Sequence, residues 1–197
     1  MTLLLKLSQL IDWLVERVGK GAFWLVLIMT VISAGNAVIR FAFNYSSNGL
    51  LEIQWYLFAA VFLLCSPYTL QKNEHVRIDV LSGKLSPRGL AVIDIIGTLF
   101  FLLPMVVLVL WLSIPLVAES YKISEMSANA GGLIRWPVKI LLPIGFTLLA
   151  LQGVSELIKR VAFLQGLIGD PNAKEKAPTP EEELAAAIAA AKAKEAK

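Results

Sequence analysis

Four stretches of about 20 or more mostly apolar residues dominate this chain, long enough to cross a hydrocarbon core about 30 Å thick. They run over about 21–43, 50–70, 90–118 and 137–157. The fold class they imply is an all-α integral membrane protein with four transmembrane helices. Composition agrees: of 197 residues, 57% are hydrophobic and only 17% charged, against roughly 25% charged in an ordinary soluble domain. The third stretch exceeds what such a core requires and should tilt, kink or protrude, with Pro104 and Pro115 as kink points. The small-residue cluster Ser33, Ala34, Gly35 and Ala37 invites a secretory-signal reading of the first stretch. Apolar sequence running on to Phe43, and a patterned segment before the stretch, argue against that reading.

Lysine and arginine near the span ends set the expected orientation. Lys6, Arg17 and Lys20 precede the first span. Lys72, Arg77, Lys84 and Arg88 lie between the second and third, and Lys159, Arg160 and the tail lysines follow the fourth. The other side holds only Arg40, Lys122, Arg135 and Lys139, and residues 44–49 carry no charge. An N-in, C-in chain satisfies the bias at every loop.

Three segments lie outside the spans. Leu3, Leu4, Leu7, Leu10, Ile11, Leu14 and Val18 recur every three or four residues, opposite Lys6, Gln9, Asp12, Glu16 and Arg17. This pattern predicts an amphipathic helix over 1–20, flat at the cytoplasmic interface with Trp13 near the headgroups. A helix packed on a partner is the alternative. In the 71–87 link, Val76, Ile78 and Val80 alternate with Arg77 and Asp79, which is a strand period, whereas Asn73 and Gly83 would cap a short helix. With no second strand to pair, the helix is favoured. Ser86-Pro87 and Trp136-Pro137 read as starts of the third and fourth spans, because proline suits a first helical turn. Residues 169–197 form an Ala-, Glu- and Lys-rich tail after the 1–168 membrane domain. Thr179 and Pro180 would open a solvated helix there.

The side chains that carry chemistry are few. Cys65 and His75 are single residues of their type, which excludes an intrachain disulfide, a multi-thiolate metal site and haem held between paired histidines. No serine has a histidine partner at a recognisable spacing, no glycine-rich phosphate loop occurs, and the basic residues do not cluster as a nucleic-acid surface would require. No enzyme, cofactor or nucleic-acid partner is expected. Ionisable residues lie near span ends, where the cost of burying charge in lipid is smallest. Arg40 and Glu52 face each other across the first hairpin, either as an ion pair or snorkelling separately to headgroups. Asp94 and Glu156 can reach interfacial water or a cation such as Arg88 or Lys159. Asn36, Thr98 and Gln152 can hydrogen-bond between helices. No carboxylate stands near the midplane, where a proton-coupled carrier needs one.

Three blocks carry a family resemblance. Residues 46–58 (SSNGLLEIQWYLF) are similar to the start of the second span in the small membrane subunit of tripartite ATP-independent periplasmic (TRAP) transporters. Residues 73–81 (NEHVRIDVL) resemble that family's cytoplasmic-loop signature, and residues 127–137 (SANAGGLIRWP) resemble the outer loop of one of its branches. The resemblance covers roughly residues 1–165. It departs from the family pattern at Gly49-Leu50, where a small residue followed by an aromatic is expected.

The resemblance implies a multi-pass subunit of the bacterial inner membrane that binds a large membrane subunit. That larger partner holds the substrate and sodium sites and moves in an elevator-like manner, while the small subunit enlarges its static scaffold. A periplasmic binding protein delivers an organic acid, and the third block is similar to a branch associated with 2-oxo acids. Trp55 and Tyr56 beside Glu52, with Arg135 and Trp136 on the outer loop, are then expected to grip at one end, and His75, Arg77 and Asp79 at the other. Membrane lipids complete the expected partners. The rival readings are a small transporter acting alone as a homo-oligomer and a membrane enzyme. The first needs a polar path and the second a catalytic constellation; neither stands out in the sequence.

Overall fold

Local residue chemistry marks several helix ends in this chain, although only the helix starting after Ser86 has a side-chain cap among the described residues. The computed structural model describes residues 2–45, 47–74 and 86–171. Helix α1 spans Thr2–Phe43 and stops at Asn44, whose φ of 49° places it in the left-handed region where helices often terminate. Helix α2 spans Asn48–Gln71. The third span opens as α3, Pro87–Gly97, where the Ser86 hydroxyl accepts from the Gly89 N–H at 3.3 Å and Pro87 fills the first turn. It continues through a π turn, Thr98–Leu102, into α4, Leu103–Lys122. A short α5, Trp136–Lys139, leads into α6, Leu141–Leu164.

All four predicted spans are therefore helices of the required length and apolarity. Two expectations are revised. Residues 2–20 are not a separate arm, because α1 continues without a break through the first span for 42 residues, about 63 Å at 1.5 Å per residue. In the third span the departure from α geometry precedes Pro104, and the helix remains α through Pro115. Pro104 has no N–H for the Phe100 carbonyl, so the preceding turn widens and the Leu103 N–H reaches back to Thr98.

The contacts establish an up-and-down order. Gln71 meets Asp12 and Tyr68 meets Gly19, so α1 and α2 are antiparallel. Leu63 meets Gly145 and Leu102 meets Gly153, which makes α6 parallel to α2 and antiparallel to the third span. At the α2–α6 crossing, a Cβ built on Gly145 would lie 2.8 Å from both the Cβ and the carbonyl oxygen of Leu63. Only glycine lets the two backbones approach this closely. Helix α6 is the hub, touching α1, α2, α3 and α4, whereas the third span packs on α6 and on the short α5 that leads into it.

Little of the apolar surface is internal. Phe100, Phe101, Trp111 and Leu112 on the third span are more than 60% exposed, as are Trp24 and Val31 on α1. Soluble proteins rarely leave so large an apolar surface open, and helices solvated by lipid do so routinely. The bundle has two ends. The hairpin end carries the turn after α1 and the loop after α4, and the termini end carries the start of α1 and the close of α6.

Candidate functional site

At the hairpin end, the loop after α4 folds into a clasp over one carboxylate. The Ser127 N–H bonds the Leu133 carbonyl at 3.0 Å, and the Arg135 N–H bonds the Glu125 carbonyl at 2.8 Å. An isolated antiparallel bridge joins Met126 to Ile134. The narrow ladder leaves polar groups pointing towards α2, where Glu52 is 3% exposed. Glu52 Oε1 accepts from the Asn129 side-chain amide at 2.8 Å and from the Ser127 hydroxyl, and Oε2 accepts from the Leu133 N–H at 2.7 Å. Hydrogen bonds to an ionised acceptor are the stronger kind. The clasp also takes the Asn48 amide on the Ala130 carbonyl at 2.9 Å, and the Tyr56 hydroxyl on the Ile134 carbonyl at 3.1 Å.

Gly132 makes this approach feasible. A Cβ there would fall 2.5 Å from the Ser127 Cβ and 2.9 Å from Glu52 Oε1. Lys139 pairs with Glu125 at the base of the loop. That contact is the main cause holding the Glu125 carboxyl below its usual range.

The remaining expected residues at this end are placed as follows. Trp55 is exposed. Arg135 lines a cavity of about 180 Å³ with Glu52, Trp55, Tyr56 and Val138. Trp136 meets Tyr121 edge to face, with ring centroids 5.5 Å apart. Arg40 is not the partner of Glu52: the carboxylate is occupied by the clasp, and among the described residues no ion pair joins the two. His75, Arg77 and Asp79 lie outside the described residues, as does the tail beyond residue 171.

The termini end is organised differently. Asp12 of α1 faces α6, with Oδ1 accepting from Ser155 Oγ at 2.8 Å and from Gln152 Nε2 at 3.0 Å, and Oδ2 from Lys159 Nζ at 3.1 Å. Ser8 and Ser155 are 2.7 Å apart through their hydroxyls. The Gln71 amide reaches the Asp12 carbonyl at 2.9 Å, adding α2. Within α6, Glu156 Oε1 meets Lys159 at 2.5 Å, and Oε2 meets Arg160. Arg160 Nε then crosses to Asp94 of α3 at 2.9 Å. Gln152 and Ser155 are fully buried, and Glu156 and Arg160 nearly so.

Charge buried this deeply persists only when paired. Here the pairing ties α1, α3 and α6 together. The expected contact between Glu156 and Lys159 is present, whereas Asp12 and Arg160 are members that the linear pattern did not single out. A signal existed: residues 152, 155, 156, 159 and 160 share one helical face, a polar stripe on α6, which up to position 151 is apolar except for Thr147. Among the described residues, no three His, Cys, Asp or Glu side chains converge as a metal site.

A family model described as "Tripartite ATP-independent periplasmic transporters, DctQ component" matches residues 9–163. A Haemophilus influenzae protein described as a TRAP transporter small permease protein is 30% identical over 79 residues, which is 40% of this chain. The matched region spans about half of that relative, 49% of its length.

Proposed function

The chain belongs to the DctQ component family of TRAP transporters, and from that premise we propose that it is the fixed scaffold subunit of a sodium-coupled organic-acid uptake system. It sits in the bacterial inner membrane with both termini in the cytoplasm, binds the large membrane subunit, and works with a periplasmic substrate-binding protein. The observation that carries this reading is the distribution of charge. Both ends are tied by polar clusters, while residues 21–39, 53–71, 95–118 and 140–155 contain no Asp, Glu, Lys or Arg. Coupled transport needs ionisable groups or ion ligands within the membrane. Spans pinned at their ends and apolar between them suit a rigid support.

The exposed faces of α1 and the third span supply apolar area for a membrane-embedded partner. In this reading Trp55, Arg135 and Trp136 contribute at the hairpin end, and His75, Arg77 and Asp79 at the other. Arg77→Ala and Asp79→Ala then reduce co-purification of the large subunit without altering substrate choice. The direct test is uptake into proteoliposomes. The chain alone should give no sodium-dependent accumulation of organic acid, whereas co-reconstitution with its large subunit and binding protein should give it. Accumulation by the chain alone would replace the scaffold with a self-sufficient transporter.

A further inference from the structure

Between α1 and α2 at the hairpin end lies a cleft of about 500 Å³ that neither polar cluster uses. Ser33, Asn36, Ala37 and Arg40 line one side, and Leu51 and Gln54 the other. Ser33 and Ala37 are small on the α1 side, and Phe41 and Asn44 complete the lining. Two features point to an occupant. Arg40 projects from an exposed position, and no described ion pair holds it. Asn36 is 7% exposed, and its side-chain oxygen is buried without a hydrogen-bond partner. A buried amide acceptor left unmatched is uncommon and calls for a donor. Gln54 spends one of its two amide N–H groups on the Leu50 carbonyl at 2.9 Å, and its side-chain oxygen adds a second acceptor to the cleft.

A guanidinium beside two amide acceptors suits a ligand that carries an anion and an N–H donor together. We propose that this cleft binds the headgroup of an amine-bearing phospholipid. Arg40 takes the phosphodiester, and the Asn36 and Gln54 oxygens take the headgroup ammonium. The setting fits this ligand. Phe41 lines the cleft, and it and the nearby Phe43 and Tyr45 in the chain are all more than 60% exposed, as aromatic side chains at the headgroup level are. Below the mouth, Val31 on α1 and Phe58 on α2 are exposed apolar surface against which acyl chains can lie. The inference rests on the membrane fold and is independent of what the complex transports.

The test uses the delipidated full chain in detergent, with bound lipid counted by native mass spectrometry after adding back phosphatidylethanolamine, phosphatidylglycerol or phosphatidylcholine. Phosphatidylethanolamine should be retained at about one per chain. Arg40→Gln should lower its retention about tenfold, the loss of one charge-assisted interaction. Asn36→Leu should erase the preference over phosphatidylcholine, whose quaternary ammonium has no N–H. Ala37→Leu, which fills the cleft from an exposed position, is the check that does not depend on Arg40 and should also lower retention. Inorganic phosphate in millimolar excess should not displace the lipid. Equal retention of all three lipids, unchanged retention in Arg40→Gln or Ala37→Leu, or displacement by phosphate alone would overturn the proposal. So would capture of the cleft by the large subunit, seen as loss of the lipid on assembly of the complex.

Discussion

The two ends of the bundle solve one problem with different chemistry. At the hairpin end a single buried carboxylate, Glu52, is held by neutral donors from one loop: a hydroxyl, an amide and a backbone N–H. At the termini end, three carboxylates from three helices share the two cations of α6, Lys159 and Arg160. The difference lies in what each cluster fastens. A loop can shape itself around an acid, and turn geometry supplies donors aimed inward. Rigid helices meet through side chains on a shared face, so there the acids are held by shared cations as well as by the neutral donors Ser155 and Gln152. The hairpin end is therefore a local closure, and the termini end is the joint on which α1, α3 and α6 depend.

The sharpest way to break this contrast is at Arg160. Arg160→Ala removes the cation that Asp94 and Glu156 share, although Glu156 keeps Lys159, and breaking a buried pair of this kind costs about 3–5 kcal/mol. Denaturation in detergent should show the whole bundle destabilised. A change below about 1 kcal/mol would mean that the cluster is an exposed surface network. Glu52→Ala should cost less, and its effect should be confined to the loop. Proteolysis within residues 123–135 should rise sharply while the denaturation midpoint moves little. Gly132→Ala should produce the same local phenotype, because its Cβ would collide with Ser127. If either variant melted the bundle globally, the division between local closure and structural joint would fail.

The four spans were legible because membrane solvation demands long apolar runs, and the Ser86-Pro87 and Trp136-Pro137 starts because proline and serine act locally. The clusters were less so. Asp12 and Lys159 are far apart in sequence, so their meeting depends on how α1 lies against α6. For the same reason residues 2–20 resembled an interfacial arm: their polar face was assigned to water, although part of it is turned to Ser155 and Lys159. Arg40 and Glu52 looked like partners because they flank one hairpin. The competing donors come from a loop about 75 residues later in the chain. Ser127, Asn129 and the Gly131-Gly132 pair carry the turn chemistry of that loop, but what it closes over is a tertiary fact.

Two smaller effects refine the comparison. A double-mutant cycle on Arg40 and Glu52 should be additive within about 0.5 kcal/mol, since the structure gives them separate surroundings. Coupling well beyond that would restore the direct pair. The Glu125–Lys139 contact gives the clasp a weak acid sensitivity. The folded carboxyl is held below its ordinary range, so its contribution is complete at neutral pH and is lost as pH falls through the lowered value. Loop proteolysis with an acid-active protease should therefore change little from pH 7 to 5 and rise only below about pH 4. Lys139→Gln should weaken that rise without removing it, because the Glu52 carboxylate holds the same loop.

If both ends are fixed, the subunit keeps its shape while transport proceeds beside it. Replacing Cys65, the single cysteine, frees the chain for paired spin labels. Labels on Phe43 and Tyr121 at the hairpin end, and on Leu3 and Leu167 at the termini end, occupy exposed positions. Distances between the members of each pair, measured in the assembled transporter with and without sodium and substrate, test the scaffold directly. In a rigid scaffold neither distance changes by more than about 2 Å, whereas a one-turn shift of about 5 Å in either pair would show that this subunit changes shape with the transport cycle.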